Sequence, residues 1–184
     1  KGTVGLARTL KYDTEDSQFF IILDDEPLFE GEYTPIGKVI YTNFLDEDGG
    51  VHADLTISRL AENKYRIVTG GADGNRDWVV LRNYRDDMGL DADINIRTHD
   101  IATLGLWGPD AEAALGNFID PEEINLANFP FVTAKNLTLN LSGGKKVDVW
   151  AARISYVGES GWEIYLNNNS EEGLALYDSL LEVG

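Results

Sequence analysis

The stretch "GKVIYTNFLDEDGGVHADLTISRL", residues 37–60, decides the fold because it carries a complete hairpin pattern. Two apolar-rich runs flank the acidic segment "DEDGG", residues 46–50, whose Gly49 and Gly50 supply the positive φ angles that a tight turn requires. Short runs rich in β-branched and aromatic residues are typical of strands. The pattern predicts two antiparallel strands joined by a glycine turn.

The second run of this hairpin alternates between apolar and polar side chains. Val51, Ala53 and Leu55 fall on one side of the predicted strand, and His52, Asp54 and Thr56 fall on the other. The apolar side is expected to face the core. A carboxylate on the polar side of a strand usually faces water, so the spacing alone gives Asp54 no special role.

Further strands and helices are predicted on both sides of the hairpin. Apolar or alternating runs bounded by turn residues predict strands at 18–23, 64–71, 94–108, 129–141, 145–158 and 161–166. Helical spacing of apolar residues predicts helices at 75–89, 108–119 and 170–184. Strands and helices interleave without a strict βαβ rhythm. The sequence therefore predicts an α+β fold with mixed, largely antiparallel sheets and packed helices.

The composition excludes several classes of function. Asp and Glu outnumber Lys and Arg by 32 to 15, and the longest basic cluster is Lys145-Lys146, so a nucleic-acid partner is not expected. No apolar run approaches the ~20 residues of a membrane span. The absence of Cys excludes disulfides and thiolate chemistry and is compatible with a reducing compartment. With 2 His and no Cys, a structural zinc site is not expected.

Local motifs exclude further chemistry and leave two carboxylates of interest. The segment "GGADGN", residues 70–75, fits neither the dinucleotide fingerprint nor the phosphate loop. The segment "GESGW", residues 158–162, lacks the G-x-S-x-G elbow of serine hydrolases. Glu163 lies in a predicted half-buried strand, which would either expose its carboxylate or direct it into a pocket. From the residues alone, both readings stay open for Glu163 and for Asp54.

Five segments form a specific set when they are taken together. They are "GKVIYTNFLDEDGGVHADLTISRL", "YRIVTGGADGNRDW", "LGLWGP", "FPFVTAK" and "ISYVGESGWEIY". In this order they resemble the folate-binding aminomethyltransferase family, over about residues 37–183. That family includes the glycine cleavage T-protein and the folate-binding portions of dimethylglycine and sarcosine dehydrogenases or oxidases. The resemblance implies transfer of a one-carbon unit from an oxidised amine to tetrahydrofolate, which forms methylenetetrahydrofolate.

The resemblance also implies roles for individual residues. Asp54 matches the family's essential aspartate, whose fixed negative charge would stabilise cationic character in the reacting amine. Glu163 matches the glutamate that binds the pterin ring, where two carboxylate oxygens face two neighbouring donors. Tyr156 matches a residue that lines the folate site, and Tyr41 and Thr69 are expected as its neighbours. No metal ligand is predicted.

Departures from the family pattern favour one branch of the family. Gly70 stands where the glycine cleavage enzyme has Asn, and the segments "FPF" and "YVGESGWE" favour the dehydrogenase-linked branch. The resemblance then implies a small-molecule amine or aminomethyl donor, with FAD in a separate domain or subunit. A cytoplasmic or mitochondrial-matrix location is expected. The alternatives are a non-catalytic structural subunit of an amine-oxidising complex and a folate-dependent O- or S-demethylase.

The predicted domain organisation follows from the extent of the resemblance. Residues 37–184 are expected to form a folate-binding aminomethyltransferase-like domain of two similar lobes divided near 118–130. Residues 1–36 match the family poorly and stay an unassigned N-terminal segment. The first residue is Lys and the only Met is Met88, so the chain is expected to be a piece of a longer polypeptide, truncated at both ends.

Overall fold

A computed structural model describes residues 3–6, 19–22, 37–46, 48–155, 158–167 and 170–184. The strands are β1 (Thr3–Leu6), β2 (Phe19–Ile22), β3 (Gly37–Leu45), β4 (Val51–Ala61), β5 (Lys64–Thr69), β6 (Ile101–Trp107), β7 (Thr133–Asn140), β8 (Lys146–Arg153) and β9 (Gly161–Asn167). The helices are α1 (Gly74–Asp87), α2 (Ala111–Leu115), α3 (Pro121–Ile124) and α4 (Ser170–Val183), with a short 3₁₀ turn at Ser142–Gly144. Within this part of the chain, no helix is long and apolar enough to cross a membrane.

The chain divides into two compact units. Unit 1 comprises Lys1–Thr34 and Ile40–Ile96, and unit 2 comprises Pro35–Val39 and Arg97–Gly184. The interval 118–130, where the sequence predicted a division, lies within unit 2. Its side chains Phe118, Ile124 and Phe129 are buried in the core of that unit, which is why the chain is not divided there.

Unit 1 is built around the hairpin that the sequence predicts. Strand β4 lies between β3 and β5, and β4 and β5 are antiparallel. At the turn, the backbone N–H of Gly49, which has a φ of 81°, donates to the carbonyl of Asp46 at 3.0 Å. The positive φ predicted for Gly50 is not found; its N–H instead donates to the Asp46 carboxylate at 2.6 Å. A separate antiparallel pair joins β1 to β2.

The predicted alternation in β4 is confirmed from His52 to Ile57, whereas Val51, predicted on the core side, is 65% exposed beside the turn. Ala53, Leu55 and Ile57 are buried together with Phe44 of β3. Apolar side chains of α1 pack against this cluster, including Val80. The opposite side of β4 carries His52, Asp54 and Thr56 near the turn, so this end of the unit 1 sheet has one face packed on a helix and one polar face.

Unit 2 contains an antiparallel sheet with the strand order β7-β8-β9-β6, and the first residues of β3 pair with β7. One face of this sheet is packed against the helices. The buried side chains on that side include Leu137 and Leu139 of β7, Val147, Val149 and Ala151 of β8, Trp162, Ile164 and Leu166 of β9, Leu115 of α2, Ile124 of α3 and Leu176 of α4. The two units confirm the predicted α+β class with antiparallel sheets.

Several predicted elements are shorter than the sequence pattern suggested, among them the strand 145–158, whose described residues form a strand only over β8. The predicted strand 94–108 is a strand only over β6, because the charged segment before it closes a turn in which the Asp100 N–H donates to the Arg97 carbonyl at 3.0 Å. The predicted helix 108–119 is helical only over α2, and Gly116 ends it. The chain instead begins a new helix, α3, where the Asp120 side chain accepts the N–H of Glu122 at 3.0 Å.

The predicted strand 129–141 also begins later than expected. Strand β7 starts at Thr133 because Val132 has a φ of 57°, which a strand cannot accommodate. The Val132 N–H donates to the carbonyl of Arg153 at 2.9 Å, and its own carbonyl accepts the N–H of Val39 at 2.9 Å. These two bonds hold a β-branched residue in an unfavourable conformation beside the start of the strand.

A buried arginine fixes the segments that surround β8 and β9. The Arg153 side chain is 5% exposed, and its Nη1 donates to the carbonyls of Ile124 at 2.7 Å and Phe129 at 3.1 Å. Its Nη2 donates to the Glu112 carboxylate at 2.7 Å and to the Ser160 hydroxyl at 3.3 Å. Arg153 therefore connects α2, α3 and the loop before β9 through one guanidinium group.

Replacing Gly161 with Ala is expected to destabilise unit 2. A Cβ atom at Gly161 would lie 2.0 Å from the carbonyl oxygen of Leu106, a backbone atom that cannot move without displacing β6. We expect Gly161→Ala to lower the free energy of unfolding in urea by about 1–3 kcal/mol, the usual cost of overpacking. Gly173→Ala in α4 is the control, because a Cβ atom there would meet a Leu166 methyl at an ordinary 3.9 Å. That variant is expected to gain roughly 0.5–1 kcal/mol from helix propensity, and equal effects of both changes would contradict the geometry.

Candidate functional site

Asp54 lies on the polar face of the unit 1 sheet. Its carboxylate is exposed and accepts a hydrogen bond from Nδ2 of Asn43 on β3 at 3.2 Å. Tyr41 is two residues before Asn43, so its side chain is on the same face, and it is 49% exposed. The structure therefore places the predicted residues Asp54 and Tyr41 on one accessible surface, with Asn43 orienting the carboxylate.

Thr69 lies on the opposite face of the same sheet. It pairs across β4 and β5 with Leu55, whose side chain is buried in the core. The Thr69 hydroxyl donates to the carboxylate of Asp77, which is 1% exposed and also accepts from Nε of Arg76 at 2.9 Å. This arrangement joins β5 to α1, and it separates Thr69 from the face that carries Asp54.

Glu163 lies near the centre of the second face of the unit 2 sheet, away from the helices. It stands on β9 between Gly105 of β6 and Ala152 of β8. Its side chain is half-buried, and one of its oxygens, Oε2, accepts a hydrogen bond from the hydroxyl of Tyr165. The two residues are neighbours on the same face because they are two positions apart on one strand.

Two tryptophans share this face with Glu163. The ring of Trp107 lies across Gly105, where a Cβ atom would be 2.1 Å from it, and the Trp107 indole N–H donates to the carbonyl of Ile154 at 3.0 Å. Trp150 is opposite Tyr165 in the pairing of β8 and β9, and their ring centroids are 5.2 Å apart in an edge-to-face contact. Glu163 is thus a partly buried carboxylate on an aromatic surface.

The sequence analysis missed several residues of these two faces. Asn43, Trp107, Trp150 and Tyr165 were not named as site residues, although period-two spacing relates Tyr165 to Glu163 and Trp107 lies in the "LGLWGP" segment. Their contributions depend on strand pairing and ring packing, which spacing along one strand does not reveal. Tyr156, which the sequence predicted to line the site, lies outside the described residues.

The chemistry available on these faces is that of carboxylates and aromatic rings. Among the described residues, no group of three or more His, Cys, Asp or Glu side chains is arranged to hold a metal ion. A surface depression of about 580 Å³ lies beside α2 and α3 and is lined by residues that include Pro109, Glu112 and Ser160. It contains neither Asp54 nor Glu163, so the depression does not coincide with the predicted chemistry.

Comparison with known families decides the assignment of the chain. The family model described as "GCVT N-terminal domain" matches residues 28–184. The chain belongs to this family. A second model, "Cyclophilin type peptidyl-prolyl cis-trans isomerase/CLD", matches residues 1–47, about a quarter of the chain, and overlaps the start of the GCVT match.

The individual relatives of this GCVT domain include a dehydrogenase and an aminomethyltransferase, the two kinds of enzyme that the sequence motifs suggested. It is 28% identical to human "Dimethylglycine dehydrogenase, mitochondrial", over 95% of this chain and 19% of that protein. It is 31% identical to an "Aminomethyltransferase" of Herpetosiphon aurantiacus, over 92% of this chain and 43% of that protein. The crystal structure of the glycine cleavage system aminomethyltransferase T from Bartonella henselae matches with a TM-score of 0.61 and 25% identity, over 79% of this chain and 36% of that one.

These comparisons confirm the resemblance that the sequence motifs gave. The GCVT domain spans less than half of the length of each of these relatives, which agrees with a portion of a larger enzyme. The identities of 28% and 31% do not separate the dehydrogenase branch from the aminomethyltransferase branch.

Proposed function

We propose that this GCVT domain binds tetrahydrofolate and holds it to accept a one-carbon unit from an oxidised amine. The observation that carries the proposal is the half-buried carboxylate of Glu163 on a face with Trp107 and Trp150. A pterin ring is flat and presents an exocyclic amino group beside a ring N–H. Two carboxylate oxygens complement these two donors, and indole rings suit a flat heterocycle. The residues present therefore fit this group.

In this proposal, tetrahydrofolate supplies the two nitrogens that take up the one-carbon unit, one in the reduced pterin ring and one in the adjoining side chain. Glu163 binds the edge of the pterin and sets its orientation, which fixes the position of those nitrogens. Trp107 and Trp150 cover apolar surface and exclude water, so the hydrogen bonds of Glu163 are stronger than they would be in bulk solvent. Tyr156 is retained as a proposed neighbour of the ring.

Asp54 is proposed as the catalytic residue. When a one-carbon unit leaves an amine, the reacting carbon and nitrogen become partly cationic. A fixed carboxylate stabilises that positive charge as it develops. The hydrogen bond from Asn43 holds the Asp54 carboxylate in one orientation at 3.2 Å. Tyr41, exposed on the same face, is proposed to contact the folate or the donor. Thr69 has its hydroxyl bound to Asp77 on the other face, which favours a structural role for it.

The donor is proposed to be an oxidised amine derived from sarcosine or dimethylglycine. Gly70, which stands where the glycine cleavage enzyme has Asn, and the similarity to human dimethylglycine dehydrogenase support this choice. The oxidation itself would take place at FAD in another domain or subunit. A glycine-derived donor is the alternative within the same family.

Changing Glu163 to Gln is expected to weaken folate binding by about 10- to 100-fold. A hydrogen bond to a charged acceptor contributes about 1.5–3 kcal/mol, and each 1.4 kcal/mol is a factor of ten in affinity. Binding is measured by quenching of tryptophan fluorescence during titration with 5-formyltetrahydrofolate. Trp107 and Trp150 on the Glu163 face make this signal sensitive to a ligand there.

Glu182→Gln is the matched control for this measurement. Glu182 is exposed on α4, which packs on the other face of the unit 2 sheet, so its loss of charge is expected to leave binding unchanged. Affinity of the Glu163→Gln variant equal to that of the unmodified chain would refute the assignment of Glu163 to the pterin ring.

A further inference from the structure

We propose that Tyr165 is a positioning residue that holds the carboxylate of Glu163 ready for the pterin edge. This inference rests on the proposed function and adds a second residue to the same site. The Tyr165 hydroxyl donates a hydrogen bond to Oε2 of Glu163. Glu163 has three side-chain torsions and stands on the face away from the helices, so without an anchor its carboxylate would occupy several orientations.

The ring of Tyr165 is itself held firmly, which makes it an effective anchor. Tyr165 is 5% exposed, although it lies on the face away from the helices. It is opposite Thr103 on β6 and Trp150 on β8, and its ring meets Trp150 at a centroid distance of 5.2 Å and an interplanar angle of 63°. A buried phenol usually directs its hydroxyl to a partner, and here that partner is the carboxylate of Glu163.

The bond to Tyr165 leaves enough acceptor capacity on Glu163 for a second partner. An ionised carboxylate has about four lone-pair positions, and the phenol occupies one of them on Oε2. Oε1 and the remaining position on Oε2 stay available for two parallel donors from a planar ligand. Tyr165 thus fixes the plane and direction of the carboxylate and does not compete with the pterin edge.

A double-mutant cycle separates positioning from a merely structural role. The four proteins are the unmodified chain, Tyr165→Phe, Glu163→Gln and the double variant, and each is titrated with 5-formyltetrahydrofolate. Holding one flexible side chain in place contributes to affinity on the order of a 3- to 10-fold effect. We expect Tyr165→Phe to weaken binding about 3- to 10-fold in the unmodified background and less than about 2-fold when Glu163 is already Gln.

Two controls accompany the cycle. The Phe side chain keeps the ring that packs against Trp150, and the urea midpoint of each variant is measured to confirm that the fold is retained. Tyr177→Phe removes a hydroxyl from a 48%-exposed tyrosine on α4 and is expected to bind like the unmodified chain.

The outcomes distinguish this inference from the proposed function. If Glu163→Gln loses affinity but Tyr165→Phe binds normally, or if Tyr165→Phe weakens binding equally in both backgrounds, the positioning role is overturned and folate binding at Glu163 stands. If the unmodified chain does not bind the reduced folate, or if Glu163→Gln binds it equally well, both proposals fail.

Discussion

Replacing Asp54 with Asn is expected to lower the rate of methylenetetrahydrofolate formation by about 10²- to 10³-fold, the usual loss when one preorganised electrostatic group is removed. The Asn side chain has the same shape as Asp but no charge, so it cannot stabilise a cation that develops during transfer. The rate is measured at saturating reduced folate in the natural polypeptide that carries this chain, with an oxidised sarcosine or dimethylglycine donor. Folate affinity is expected to stay within about threefold, because the proposed pterin contacts belong to Glu163.

The structure explains why this substitution should not disturb folding. Asp54 is exposed, and its described contact is the hydrogen bond from Nδ2 of Asn43, which an Asn oxygen at position 54 can also accept. Asp91→Asn provides the control, because it removes one exposed carboxylate from the same unit away from β4. A rate for Asp54→Asn within threefold of that of Asp91→Asn would show that Asp54 has no catalytic role and would favour the structural alternative.

Replacing Arg153 with Met is expected to cost about 2–5 kcal/mol of the free energy of unfolding, because two buried backbone carbonyls lose their charged donor and each unsatisfied buried group costs about 1–3 kcal/mol. The change leaves the Glu112 carboxylate and the carbonyls of Ile124 and Phe129 without this donor. It also removes the guanidinium from above the Trp162 ring, where the separation is 4.8 Å. Urea unfolding followed by far-ultraviolet circular dichroism measures the loss.

Arg97→Met is the matched control for the stability measurement. Arg97 forms an ion pair with Asp100 at 2.6 Å, but both side chains are 57% exposed, so little stability depends on it. Its replacement is expected to change the free energy of unfolding by less than about 0.5 kcal/mol. Equal losses for the two variants would contradict the view that Arg153 fixes the helices around β8 and β9.

The parts of the fold that sequence predicts best are those with strong local signals. The hairpin of β3 and β4 has a glycine turn and a stretch of alternation from His52 to Ile57, and the structure shows both. Helix α1 is also confirmed, over Gly74–Asp87. The failures occur where a neighbouring signal was overlooked: Gly116 ends α2, and Asp120 with Pro121 begins α3. The late start of the predicted strand 129–141 depends on the backbone of Val132, which no sequence pattern indicates.

The sequence motifs predict the two carboxylates of the candidate site, but they do not predict the side chains that surround them. The motifs singled out Asp54 and Glu163; the structure places Asp54 on an exposed polar face, and it places the half-buried Glu163 on the face of the unit 2 sheet away from the helices. The contributions of Tyr165 and Trp150 could not be predicted from the sequence, because they depend on which strands pair and in which register. The same register places Thr69 on the face opposite Asp54, a distinction that the sequence motif alone does not make.

The most direct test of folate binding at the Glu163 face is an experimental structure of the chain with 5-formyltetrahydrofolate bound. The account predicts the pterin amino nitrogen at about 2.7–2.9 Å from the Glu163 carboxylate, a charge-assisted hydrogen bond, with Trp107 and Trp150 beside the ring. Reduced folate seated elsewhere, for example in the depression beside α2 and α3, with Glu163 free of contact, would contradict the account.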